Sequence, residues 1–252
     1  MKLLKPFYGF LVPLLLVGLW HYQSQQGAAQ AYAFVPLATV ADGFNELIQS
    51  GELVLSTLAS LKRTCIGLLY GAAVGLVIGA AMALSAVANR IFSPLYHTLR
   101  QVPILGLIPL IALWFGSGEG AKLLLVSLAA FYPMALSTFE GFSHVEKRHL
   151  EVAKVLGLTH SQRFTQVQLP SALPAISQGL LHALAFAWIS SIGSELFLST
   201  GMGLGNMMMQ AEVGARMEVV VIGVTTIGLL GFLMNYTFVR LSQYLLRWRN
   251  LR

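Results

Sequence analysis

The sequence predicts an all-α, polytopic membrane protein with about six transmembrane helices. Composition gives the first reason: 56% of the 252 residues are hydrophobic and only 10% are charged, against about 25% charged in a soluble domain. The mean hydropathy of +0.71 agrees. Patterning gives the second. Six stretches approach the ~20 apolar residues that a spanning helix needs: Pro6 to Tyr22, Thr64 to Leu84, Ile91 to Trp114, Ala121 to Phe139, Pro174 to Leu196 and Val219 to Arg240.

The first stretch follows Lys2 and Lys5 and precedes Ala29-Gln30-Ala31 and Ala31-Tyr32-Ala33, a signal-peptide-like arrangement. Its apolar run passes directly into Trp20 and Tyr22, an interfacial anchor, so a retained span is expected. The polar segment Gln23 to Arg63 faces outward. Within it Leu37, Val40, Phe44, Leu47 and Ile48 share one helical face, which suits a short helix against the bundle or on the membrane surface. Residues 1–63 thus form a first span with an extracytoplasmic segment, and residues 64–252 a five-helix core.

The second stretch carries Gly67, Gly71, Gly75 and Gly79 at four-residue spacing. Glycines on one stripe let another helix approach closely; whether that helix lies in this chain or in a second copy stays open. Cys65, the single cysteine, excludes an internal disulfide and reads as a small buried hydrophobe. Pro94, Pro103 and Pro109 interrupt the third stretch. Neighbouring helices can satisfy the freed carbonyls, so kinks are expected there and not a break.

Charge sets the orientation. The net charge is +6, but Lys and Arg lie mostly between apolar blocks and at the two ends, unlike a nucleic-acid face. With the amino terminus inside, the inner segments hold Lys2, Lys5, Arg90, Arg100, Lys147, Arg148, Lys154, Arg163, Arg240, Arg247, Arg249 and Arg252. The outer segments hold Lys62, Arg63, Lys122 and Arg216. Twelve against four satisfies the positive-inside rule with both termini cytoplasmic.

The longest inner connection, Gly141 to Leu173, is solvated or faces a soluble partner. Apolar spacing from His144 to Leu156 suits a helix that Gly157 can end. Thr159 or Ser161 can cap a second short helix carrying Phe164 and Val167 and stopping before Leu169-Pro170. Glu151-Val152-Ala153, three residues, Gly157, nine residues, then Val167-Gln168-Leu169-Pro170 resembles the EAA loop of ABC importer permeases, here spanning 144–170. The family pattern has Ala where Val152 stands and Ile where Val167 stands. Leu99-Arg100-Gln101-Val102-Pro103, Ile108-Pro109-Leu110, Leu113-Trp114-Phe115-Gly116 and Leu169-Pro170-Ser171-Ala172-Leu173-Pro174 are similar to the sulfonate, taurine and nitrate branch of these permeases, in particular aliphatic sulfonate permeases.

The resemblance implies a type I ABC importer permease in a bacterial inner membrane. Two permease chains form the pore, cytoplasmic ATPase subunits bind below, and an extracytoplasmic solute-binding protein delivers cargo. ATP and Mg would be used by the ATPase, with no cofactor on this chain. The coupling element would comprise Glu151, Ala153, Leu156, Gly157, Leu158, Thr159, Ser161, Phe164, Leu169 and Pro170. The cargo, whether alkanesulfonate, taurine, nitrate or a small heterocycle, stays open.

The chain carries no chemistry of its own. Gly116 to Lys122 lacks the Gly-Lys-Ser/Thr ending of a phosphate loop, and no Cys/His metal spacing exists. Gly201, Gly203 and Gly205 read as a bend at the outer end of the fifth span. Ionisable residues within spans are functional candidates by default. His182 either lines the pathway or bonds a neighbouring helix; Glu195 either serves gating and helix pairing or reaches the interface and water. Trp188 and Met202 complete the pathway or gate candidates. An ion-coupled secondary transporter is the alternative, although no repeat is seen and only His182 lies at mid-membrane.

Overall fold

A computed structural model describes residues 8–27, 33–198 and 200–247. Lys2, Lys5, Arg249, Arg252 and the alanine-rich stretch from Ala29 to Tyr32 lie outside them. Among the described residues all regular structure is helical: α1 (Tyr8–Ser24), α2 (Leu37–Gln49), α3 (Glu52–Leu84), α4 (Ala86–Leu99), α5 (Ile108–Phe115), α6 (Glu119–Ser143), α7 (Lys147–Val155), α8 (His160–Arg163), α9 (Leu169–Phe197), α10 (Leu204–Val213) and α11 (Met217–Leu245). Four helices are long and apolar enough to cross a membrane: α3, α6, the run from His160 to Phe197, and α11. The bent pair α4–α5 makes a fifth if counted as one span. The 17 residues of α1 sit at the short limit for a span. Its apolar residues from Leu11 to Leu19 are exposed, and Trp20 ties it to the next segment by donating to the Val35 carbonyl (2.8 Å).

The centre is α6, packed between α3 and α9. Small residues supply part of its inward surface: Ala121, Ala129, Ala130, Ala135 and Thr138 are buried, beside the larger Lys122, Leu125, Val126, Met134 and Phe142. The glycine stripe meets this surface within the same chain. A Cβ at Gly75 would lie 2.8 Å from the Phe131 carbonyl oxygen, and one at Gly71 would overlap the Ser127 carbonyl. In lipid, association of apolar helices rests on such close backbone packing. Gly71→Val should therefore force α3 and α6 apart and cost about 1–3 kcal/mol, read as earlier unfolding in mixed micelles. Gly228→Ala, with nothing within 4 Å of the added Cβ, should leave the midpoint unchanged.

Three expectations need correction here. First, α3 starts at Glu52, not Thr64, so the division placed after residue 63 falls inside one helix. Its buried positions Leu53, Ser56, Ser60, Arg63, Gly67, Gly71, Gly75 and Gly79 form one continuous stripe. Second, the third span is broken, not kinked: α4 and the helical segment from Ile104 meet at 86°. Pro94 is absorbed inside α4 and Pro109 occupies the first turn of α5, where a missing N–H costs nothing. The chain unwinds at Pro103, which is extended (φ −61°, ψ 123°). Third, Cys65 is exposed on the chain's surface.

The surface helix expected after residue 36 is α2. It buries Gly43 and Leu47 and packs Val40, while Leu37, Phe44 and Ile48 stay exposed. Arg216 clamps it to α11 through Glu46 (2.8 Å) and Glu218 (3.0 Å). The two carboxylates raise the guanidinium pKa.

Candidate functional sites: a capped knob and a buried charge cluster

At one end of the bundle, α7 and α8 form a knob. α7 ends in a Schellman turn: Gly157 has φ 71°, its N–H donates to the Lys154 carbonyl (3.0 Å), and the Leu158 N–H donates to the Ala153 carbonyl (3.1 Å). Only a residue at ease in left-handed geometry closes a helix this way. Thr159 then opens α8 with a capping box, accepting from the Gln162 N–H (3.3 Å) while Gln162 Oε1 accepts from the Thr159 N–H (2.9 Å). Ser161 is exposed, and its carbonyl accepts from Thr165 Oγ1 (2.9 Å) and from the Phe164 N–H.

The second short helix does not stop before Leu169-Pro170 as expected. It runs on through a π-turn, Phe164–Gln168, into α9, with the Leu169 N–H donating to the Phe164 carbonyl. Pro170 has no N–H and crowds the carbonyl four residues back; a widened turn accommodates both defects without ending the helix. α8 is therefore continuous with the foot of a spanning helix. Phe164 also stacks on Phe142 at the end of α6 (5.8 Å, 14°).

The knob presents both charged and apolar side chains to solvent, with Lys147, Arg148, Glu151 and Lys154 exposed. Val152, Val155 and Leu156 are exposed, Val155 at 88%, while Ala153 is buried beneath them. A cleft of about 520 Å³ lies between α7 and the π-turn, with Ala153, Leu156, Leu158 and Pro170 on its walls. Glu151 is exposed and makes no ion pair with a described residue. Of the coupling residues inferred from sequence, Glu151, Ala153, Leu156, Gly157, Leu158, Thr159 and Ser161 lie on α7, α8 and the turn between them, Phe164 lies in the π-turn, and Leu169 and Pro170 open α9.

At the other end, the glycine-rich bend folds back against α3 and α9 around four charges. Arg63 on α3 pairs with Glu195 on α9 and with Glu119 at the start of α6 (2.7 Å), and donates to the Met202 carbonyl (3.0 Å). Glu195 is fully buried; it accepts from Ser60 Oγ (2.7 Å) and from the Gly205 N–H at the start of α10 (2.8 Å). A carboxylate there also complements the helix dipole. Lys122, equally buried, donates to Asn206 Oδ1 (2.8 Å) and to the Thr200 carbonyl. Gly203 and Gly205 permit the approach, because a Cβ on Gly205 would lie 2.7 Å from Glu195 Cβ.

Of the pathway candidates, Glu195 and Met202 meet in this cluster. Glu195 therefore pairs helices and does not reach the interface and water. His182 is exposed and about 20 Å away along α9 at 1.5 Å per residue. Trp188 is buried against α11, donating to the Ile227 carbonyl (3.3 Å). Sequence reasoning missed Arg63 and Lys122, placed with the outer segments, and missed Ser60, Glu119 and Asn206. The available signal was an ionisable residue on the continuous stripe of α3. No group of three or more metal-ligating side chains is gathered among the described residues.

Comparison with known proteins gives the class of this all-helical bundle. Residues 71–250 match the family described as "Binding-protein-dependent transport system inner membrane component", and the chain belongs to that family. It is 36% identical over 243 residues to the putative aliphatic sulfonates transport permease protein SsuC of Bacillus subtilis (strain 168), covering 96% of this chain and 87% of that one. It is 35% identical to the taurine transport system permease protein TauC of Escherichia coli (strain K12), over 75% of this chain and 69% of that one. Among solved structures it resembles a chain of the MetNI methionine ABC transporter in inward-facing conformation, with TM-score 0.67 and 20% identity over 78% of this chain and 97% of that one. The fold is that of type I ABC importer permeases, and the chain is a non-enzymatic inner-membrane pore subunit of an ABC importer. These likenesses set aside the secondary-transporter alternative. Family membership also implies an ATPase and a solute-binding protein as partners.

Proposed function

We propose that two copies of this chain form the translocation pathway for a small organosulfonate. The sulfonate and taurine permeases it resembles support this cargo. The knob docks in a cleft of the ATPase subunit, which alone binds ATP and Mg, and both termini face the cytoplasm. The observation that carries the reading is the exposed apolar patch Val152, Val155 and Leu156 on a turn fixed by Gly157. Apolar side chains clustered on an extramembrane surface mark an interaction site, and a rigid knob can pass ATPase closure into α9.

The test is purification from native membranes in mild detergent, with mass spectrometry of the accompanying chains. A stoichiometric ATPase, lost when Glu151 and Gly157 are both changed, is the expected result. Recovery of the folded chain alone from several detergents would overturn the docking assignment. Uptake of ethanesulfonate and taurine by cells expressing the complex decides the cargo.

A further inference from the structure

The unwound stretch between α4 and α5 holds a cation that the knob and the charge cluster do not use. Arg100 caps the carboxyl end of α4, where the chain turns by 86°. It was grouped above with the inner segments, yet the structure sets it level with the middle of α6. Tyr132 and Pro133 share its cleft. Tyr132 is roughly 20 Å from one end of α6 and roughly 17 Å from the other, at 1.5 Å per residue. Phe186, which also lines the cleft, is likewise near the middle of α9.

Arg100 is exposed in the isolated chain and forms no ion pair with a described residue. Glu140, the nearest acidic residue along α6, lies two turns beyond Tyr132. A guanidinium with only the face of Tyr96 beside it (5.9 Å) is costly against lipid at this depth, and intramembrane cations face a bundle interior or a water-filled cavity. The same holds for unwound backbone, which is tolerated at membrane depth only in those settings. The cleft measures about 310 Å³, the size of a small-ligand site. Tyr96 is held in place by donating to the Tyr132 carbonyl (2.8 Å), and the Arg100 guanidinium sits 5.9 Å from its ring.

We propose that Arg100 is the mid-membrane station for the acid group of the transported solute. The guanidinium fork takes two oxygens of a sulfonate, and the Tyr96, Tyr132 and Phe186 rings bound the space for a short organic tail. A fork of fixed donors suits an oxyanion better than an ammonium does. The cargo class rests on the functional reading above; the anion site rests on depth, exposure and the unpaired charge. Arg100 is thereby distinguished from Glu195, whose charge is already matched within the chain.

The permease–ATPase complex is assayed in nanodiscs without the solute-binding protein, using ethanesulfonate as the probe. Ethanesulfonate should raise the melting temperature of the unaltered complex. Arg100→Gln should weaken that binding by about ten- to hundredfold, the loss of a charged hydrogen-bond pair. Arg100→Lys should retain an intermediate affinity. Equal ethanesulfonate binding by Arg100→Gln would overturn the proposal. Both variants should still assemble with the ATPase, because the cap on α4 is made by the backbone N–H of Arg100; loss of assembly in both would overturn the proposal by giving the side chain a structural role. Probe binding through Arg100 without sulfonate uptake by the unaltered complex would refute the cargo and leave the anion site standing. Uptake with no dependence of binding on Arg100 would do the reverse.

Discussion

Gly157→Pro should abolish solute uptake while the chain still inserts, folds and reaches the membrane. The residue sits at φ 71°, and proline is locked near −65°. The substitution also removes the N–H that donates to the Lys154 carbonyl and displaces the Leu158 N–H from the Ala153 carbonyl. The closing turn of α7 is then lost, and Val152, Val155 and Leu156 point elsewhere. Nothing lies within 4 Å of a Cβ built on Gly157, so the effect is conformational and not steric. A graded series follows. Gly157→Asn should retain most activity, because Asn tolerates the left-handed region. Gly157→Ala should fall between, with a strain of about 1–2 kcal/mol. Uptake and ATPase stimulation by loaded binding protein are the measurements. Unchanged uptake in Gly157→Pro would refute a coupling role for the turn.

That turn was legible in the sequence because its causes are local. A glycine that ends a helix, a Thr159 three residues before Gln162 and apolar spacing around them act within a few residues. The glycine stripe was legible for the same reason, although its partner was not. Nothing in the spacing of Gly67 to Gly79 says that the facing backbone is α6. The missed features have distant causes. Arg63 stands beside Lys62 at the edge of an apolar run and reads as an interfacial cation. Its partners Glu119 and Glu195 are 56 and 132 positions away, and only the fold brings them together. The break between α4 and α5 lies between these cases. Three prolines look equivalent in a list of residues, but Pro94 sits mid-helix, Pro109 in a first turn and Pro103 in the extended link beyond the end of α4. Their ranks follow from the hydrogen bonds each leaves unmade.

Arg63→Ala should be among the most destabilising single substitutions in the bundle. It strips a fully buried carboxylate, Glu195, of its cation and leaves Ser60 and the Gly205 N–H as its main donors. Removing one partner of a buried pair costs about 3–5 kcal/mol, because the remaining charge stays out of water. Glu119→Ala should cost much less, since that carboxylate is 55% exposed and water can replace it. Arg63→Lys should recover only part of the loss: one ammonium cannot address Glu119, Glu195 and the Met202 carbonyl as a planar fork does. The diagnostic measurement is a double-mutant cycle of Arg63→Ala and Glu195→Ala, read by reversible unfolding in mixed micelles. The two losses should fall short of adding by about 0.5–3 kcal/mol, because the second change removes the charge that the first leaves stranded. Strict additivity would mean that the two groups do not stabilise one another. The consequence for transport is geometric. Arg63 and Lys122 both hold the bend between α9 and α10, through the Met202 and Thr200 carbonyls. When the cation is lost, the far ends of α3, α6 and α9 are no longer tied at one point. A push delivered through α8 would then bend α9 instead of moving it as a lever, so uptake should fall further than the folded fraction alone accounts for.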